Sequence, residues 1–154
     1  DIKNINAKYL RKKVVYANQK TMLYDISVID NIKYGNNAET DSIMKILNSY
    51  QLLELFNGLK DSIHSDSGVQ GNELSGGMQK VVILLRSILK AEENNAYIII
   101  FDEPLAGLDE KTRKKVIKLM NDKCSGKTLI IITHDKEILP FMDRVIDLSE
   151  INKF

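Results

Sequence analysis

Two carboxylates, Asp102 and Glu103, close the apolar run Tyr97-Ile98-Ile99-Ile100-Phe101. A buried strand that ends in acids places them where α/β proteins bind ligands, outside the carboxyl edge of a sheet. The same pair also fits a plain helix-capping turn. A second apolar run, residues 128–133, ends in His134. An imidazole there can donate from one nitrogen while a neighbour orients the other, although an ordinary strand-end histidine looks no different. Ser75, Gly76 and Gly77 lie in Leu74-Ser75-Gly76-Gly77-Met78, just before a further apolar stretch. Ser75 reads as a helix cap, and the glycines let the backbone come close to a partner. The N–H groups at such a helix start attract anions. Gln19 follows Val14-Val15-Tyr16 and carries an amide that both donates and accepts; alone, it reads as an exposed loop residue. Asp109, at the end of Leu105-Ala106-Gly107-Leu108-Asp109, reads as an N-cap. Phosphoryl transfer to water needs parts of these kinds: a held metal, a group to orient water, and donors around the transferred oxygens.

The pattern predicts the elements that must carry these groups. Residues 14–17 form a short apolar strand, and residues 26–34 read as a turn into a short helix. Ile43, Ile46, Leu47, Tyr50 and Leu53 to Leu55 recur at helical spacing, which predicts a helix over 41–56 capped by Asp41. Residues 57–73 are rich in Gly, Ser, Asp and Asn and read as loop. A helix over 75–93 follows, its stretch from Val81 to Leu85 broad enough to be buried on most sides. Residues 97–101 and 128–133 read as strands buried on both faces of a parallel sheet. Between them, residues 109–123 form a helix with Val116, Ile117, Leu119 and Met120 facing in. A short helix over 136–142 must tolerate Pro140, and residues 144–148 read as a last strand. Strand and helix alternate from Tyr97 onward, so the class is α/β with a parallel sheet.

Composition narrows the partners. At 154 residues the chain is one domain or less. A net charge of +1 supplies no basic field for nucleic acid. Lys111, Arg113, Lys114 and Lys115 follow Asp109 and Glu110 and read as a solvated helix face, acids first and bases later. Cys124 is the one cysteine, which fits a reducing compartment, and the two histidines lie far apart and suggest no metal site. No apolar run approaches the roughly 20 residues of a membrane-spanning helix. Gly68-Val69-Gln70-Gly71 is not a dinucleotide fingerprint, since the GxGxxG spacing is missing.

In this order the pieces resemble the nucleotide-binding domain of ATP-binding-cassette (ABC) proteins, over nearly the whole chain. That resemblance implies a P-loop NTPase core (RecA-like, ABC-type) made of residues 1–24 and 96–154, with a helical subdomain inserted over 25–95. It implies Mg²⁺ held by Asp102 with help from Gln19, and water oriented by Glu103. It makes His134 a contact to the terminal phosphate of ATP and gives Gln19 a share in catalysis. Ser75, Gly76 and Gly77 become the signature that faces the ATP of an opposite domain, and Asp109 belongs to the loop crossing between the two. The family often has Pro before the Gln, where Asn18 stands here, and Gln where Met78 stands. The segments 19–25 and 28–35, and the G-x-x-G before the signature, look exporter-like, although Val69-Gln70 departs from the charged residues usual there.

One part is absent: no GxxxxGK(S/T) phosphate loop occurs in the sequence. The opening residues 1–5 and 10–16 look like the stretch between that loop and the Gln loop, and none of the five methionines stands first. The expectation is therefore an incomplete domain, the C-terminal part of a longer protein, with its first strands and phosphate loop outside this chain. A degenerate protein without the loop is the other possibility. The implied parent is an exporter-type transporter that couples ATP hydrolysis to transport. Its implied partners are a second nucleotide-binding domain, head to tail, and transmembrane domains, with this domain on the cytoplasmic side of a membrane. The rivals are a soluble ABC ATPase acting on nucleic acid or the ribosome, and a non-catalytic module that only lends its signature helix.

Overall fold

The computed structural model describes residues 2–148. Three parallel strands, β1 (Val14–Ala17), β2 (Ile98–Asp102) and β3 (Thr128–Ile132), form one sheet in the order β1-β2-β3. Tyr16 lies beside Ile100 and Ile100 beside Ile130, so all three strands finish at the same edge. Val15, Ala17, Ile99 and Phe101 are buried on one face, where Leu129 and Ile131 pack against the same core. The other face is open: Tyr16, Ile130 and Ile132 are 55%, 43% and 49% exposed. The expectation of strands buried on both faces is thus corrected for β2 and β3, because among the described residues helices cover only one side.

Helix α1 (Ala7–Lys13) precedes the sheet, capped by Asn6 Oδ1, which accepts from the N–H of Lys8 at 2.9 Å. Between β1 and β2 come α2 (Val28–Lys33), α3 (Thr40–Ser49) and α4 (Gly76–Glu93), with single 3₁₀ turns at Leu53–Phe56, Ser62–His64 and Val69–Gly71. The helix expected over 41–56 ends early. Gln51 takes φ +53°, and its N–H donates to Asn48 O while that of Leu52 donates to Leu47 O. Those two bonds close the helix as a Schellman motif, which satisfies its last carbonyls. At the other end Glu39, not Asp41, is the N-cap, and no side chain caps it. Helix α4 closes in the same way: Asn95 takes φ +46°, and Ala96 donates to Ala91 O at 2.9 Å.

Helix α5 (Glu110–Lys123) connects β2 to β3, and a 3₁₀ segment, Lys136–Phe141, accommodates Pro140. The expected last strand over 144–148 does not form. A strand needs a ladder partner for its backbone groups, and no described strand lies on the outer edge of β3. Val145, Ile146 and Leu148 stay exposed. Residues 149–154, which the sequence reading placed in the core segment, lie outside the described residues, as does Asp1. Helix α4 packs on α2, β1 and β2, and one continuous apolar core runs from Val15 to Ile138.

Candidate functional site

The three strands deliver their following residues to one edge. After β1 come Asn18 and Gln19, after β2 comes Glu103, and after β3 come Thr133 and His134. Glu103 extends the ladder by one step, its N–H donating to Ile132 O at 2.8 Å. It then leaves the strand direction with φ +51°, a left-handed conformation uncommon outside glycine. That turn aims its carboxylate at the end of β3. Thr133 Oγ1 donates to Glu103 Oε2 at 3.2 Å, and the His134 N–H donates to Oε1 at 3.2 Å. His134 Nδ1 lies 2.7 Å from the same Oε1. The two side chains therefore share a hydrogen bond whose donor is set by the imidazole tautomer. The Glu103 side chain is 17% exposed and that of His134 86%, which leaves the outer part of the ring towards solvent.

Asp102 is half-buried beside this pair, with Tyr16 Oη 3.4 Å from its Oδ2. The Tyr16 phenol is raised above its ordinary pKa, first by desolvation and then by the Asp102 charge. Among the described residues no group of three or more His, Cys, Asp or Glu could hold a metal by itself. A single carboxylate suits Mg²⁺, which keeps several waters and completes its shell with phosphate oxygens. Gln19 sits in an exposed turn and makes no side-chain hydrogen bond among the described residues. Its neighbour Asn18 supplies the rigidity: Oδ1 accepts from Lys20 N at 3.0 Å and from Thr21 Oγ1 at 3.1 Å. The structure therefore brings Glu103 and His134 together, sets Asp102 next to them, and leaves Gln19 on the neighbouring loop.

Ser75, Gly76 and Gly77 form a separate group. Ser75 caps α4, its Oγ accepting from Met78 N at 3.2 Å. A Cβ on Gly76 would meet nothing within 4 Å, so neither packing nor backbone angle requires glycine there. Open space over a helix N-terminus is what an approaching phosphate uses. By contrast, Gly68 has φ +71°, and a Cβ on it would come within 2.1 Å of Asn72 Oδ1, so that glycine is fixed by the fold. No hydrogen bond among the described residues joins Ser75–Gly77 to Asp102, Glu103 or His134. Asp109 caps α5 with both oxygens on Thr112, at 3.0 Å to its N–H and 2.6 Å to its hydroxyl. The Thr112 hydroxyl, then its N–H, hold the Asp109 carboxyl below the usual range.

Three residues around the site escape sequence reasoning. Gln79 Nε2 donates to Gly71 O at 2.8 Å and to Leu74 O at 3.2 Å, which steadies the turn before Ser75. Arg113 pairs with Asp135 at 3.3 Å and Glu137 at 2.7 Å and donates to Leu108 O. It thus ties the loop after His134 to the loop before Asp109. Lys80 Nζ donates to the Glu103 carbonyl at 3.2 Å. The solvated-face reading of the basic cluster holds for Lys114, which among the described residues pairs with Glu110 on its own helix alone. It is corrected for Arg113 and for Lys115, whose side chain is largely covered and whose ammonium bonds Glu54 and Gln51 O.

Comparison with known proteins adds an independent line. Residues 1–106 match the family model described as "ABC transporter". The chain is 29% identical over 151 residues to "ABC transporter B family member 14" of Arabidopsis thaliana, covering 97% of this chain and 12% of that one. It is 34% identical over 146 residues to a lacticin-481/lactococcin-DR transport/processing ATP-binding protein of Lactococcus lactis subsp. lactis, covering 92% and 20%. A solved bacterial Atm1-family ABC exporter with ATP bound superposes with a TM-score of 0.77 at 25% identity, covering 90% of this chain and 24% of that one. The chain thus spans a quarter or less of each protein. No helix among the described residues is long and apolar enough to cross a membrane.

Proposed function

Because this chain belongs to the ABC transporter family, we propose that it is part of the ATP-hydrolysing domain of an exporter-type transporter. The fold is the corresponding α/β one, a parallel-sheet portion of the P-loop NTPase core with helices inserted between β1 and β2. The observation that carries the reading is the convergence of Asp102, Glu103 and His134 at one sheet edge, with Glu103 turned out of its strand to meet His134. Relatives named as transporters and an exporter structure favour this over a soluble ABC ATPase.

Bound Mg²⁺ would supply charge neutralisation on the phosphates, and Asp102 would hold it with Gln19 reaching across from its loop. Glu103 orients the attacking water and accepts its proton. His134 turns its outer nitrogen to the terminal phosphate. In the neutral ring a proton on Nδ1 leaves Nε2 an acceptor. Donation to a phosphate oxygen requires a proton on Nε2. Ser75, Gly76 and Gly77 present helix N–H groups and a hydroxyl to the ATP of a second nucleotide-binding domain, and Asp109 lies on the loop between the two. We place the core at 1–24 and 96–154 and the helical part at 25–95, against transmembrane domains on the cytoplasmic side.

Mg²⁺-dependent ATP turnover tests this reading, measured on the whole transporter and on the 154-residue chain side by side. The whole protein should turn over within the common enzyme range, about 1–10³ s⁻¹. The chain alone, without a phosphate loop, should show negligible turnover. Hydrolysis by the isolated chain in that range would contradict the reading.

A further inference from the structure

Glu103 occupies a left-handed backbone position, and such a position persists only where its surroundings over-determine it. Its N–H is fixed by Ile132 O at 2.8 Å, and its carboxylate by Thr133 and His134. Its carbonyl is held by Lys80 Nζ at 3.2 Å and, at a longer 3.4 Å, by the Ala106 N–H. Lys80 stands one turn into α4, past Ser75, and lines a small cleft with Asn18, Asp102 and Pro104. Its side chain is half-buried, and no carboxylate lies within ion-pairing distance of it among the described residues. The one hydrogen bond its ammonium makes there is to Glu103, a bond strengthened by the donor's charge.

We infer that Lys80 is a positioning residue for hydrolysis: it ties the helix that carries the signature serine to the backbone that aims the Glu103 carboxylate. The inference rests on the reading of Glu103 as the water-orienting group. Nothing in local sequence pairs the two residues, since 23 positions separate them. Loss of the bond leaves the Glu103 carbonyl, among the described residues, with its long contact to Ala106 alone, and the carboxylate then drifts from the direction that Thr133 and His134 define. Displacement of this kind lowers the rate of the chemical step and leaves nucleotide affinity in place.

The test uses the whole transporter with Mg²⁺ and ATP, and four variants: Lys80→Met, Lys80→Arg, Glu103→Gln, and Lys80→Met with Glu103→Gln. Lys80→Met keeps the aliphatic stem and removes the donor. It should lower kcat by about 10- to 100-fold, the range of small misplacements, with KM for ATP within about twofold. Lys80→Arg keeps a charged donor and should recover most of the loss, which a failure to fold or a packing defect would not allow. In the Glu103→Gln background, Lys80→Met should add no further loss in single-turnover rate. A kcat within twofold of the parent for Lys80→Met, a loss carried by KM alone, no recovery by Lys80→Arg, or a fully additive loss in the double variant would each overturn the positioning role. If Glu103→Gln itself leaves hydrolysis unchanged, the reading of Glu103 fails, and with it the role of Lys80.

Discussion

His134 Nδ1 and Glu103 Oε1 lie 2.7 Å apart, although 31 residues separate them in the chain. The pairing follows from parallel register. Asp102 lies beside Ile132, so the second residue past the end of β3 meets a carboxylate that has just turned out of β2. Two strand ends thereby bring together side chains that neither could assemble alone, at the usual place for ligand chemistry in an α/β sheet.

Removing the imidazole should therefore do more than delete one surface side chain. His134→Ala in the whole transporter should lower ATP turnover by about 10²–10³, the cost of losing one donor to a developing charge. Thr133→Val, which removes one donor to Glu103, should cost less. Steady-state turnover of the two variants checks the order. A Thr133→Val loss larger than that of His134→Ala would mean that the imidazole is peripheral.

Asp109 separates capping from a role in hydrolysis. Asp109→Ala removes both bonds to Thr112 and should lower the thermal midpoint, while Asp109→Ser keeps a capping oxygen and should largely preserve it. The Asp109 carboxyl is held low by Thr112, so its contribution to stability is present above the unfolded-state value. It is lost as pH falls through the lower folded value. If Asp109 also serves the crossing loop between paired domains, turnover drops in both variants. Midpoint and turnover measured together distinguish the two roles.

The open sheet face makes a further outcome testable. Ile130 and Ile132 expose apolar surface, and among the described residues no strand pairs with the outer edge of β3. The 154-residue chain by itself should aggregate or unfold over a broad range. Ile130→Lys together with Ile132→Lys should reduce aggregation and shift stability little, since surface substitutions stay within about 0.5 kcal/mol. Light scattering during thermal unfolding reads both. A soluble wild-type monomer with one sharp transition would show that the face and edge are no liability.

Burial pushes the Cys124 thiol up to about 11, chiefly by desolvation. The thiol should therefore resist alkylation at pH 8 in the native protein and react on unfolding, as followed by mass spectrometry of the Cys124 peptide. The unfolded thiol ionises near pH 9, so the unfolded state holds fewer protons than the native state between about 9 and 11. Stability from this group is complete below pH 9 and falls as pH rises through that window. Rapid native alkylation at pH 8 would contradict the buried placement.

Much of this arrangement was legible in residue order. The apolar run before Asp102 marks a strand end, Ser75 before two glycines marks a helix start, and Asp109 marks another. Resemblance to the family then gave each of these a proposed role, while the structure keeps Ser75 apart from Asp102 and Glu103. What stayed hidden depends on long-range geometry. Gln51 ends α3 in a left-handed turn that its residue type does not announce, whereas Asn95, at the end of α4, is a residue that tolerates one. The link of Arg113 to Asp135 and Glu137, and of Lys80 to the Glu103 carbonyl, exist only once the sheet has formed. Residues 144–148 carry strand-like residues, yet pairing decides whether a strand exists, and no described neighbour is there to supply it.

The role of Glu103 is open to one direct measurement: ATP turnover and bound ATP per whole transporter, in wild type and in Glu103→Gln. The amide keeps size and hydrogen bonding but cannot take a proton from water. Turnover should fall by about 10²–10⁴, as for loss of a general base, while bound ATP stays at the wild-type level or rises. A Glu103→Gln protein that hydrolyses ATP at the wild-type rate, with every other competent site inactivated, would contradict the assignment of Glu103 as the group that acts on water.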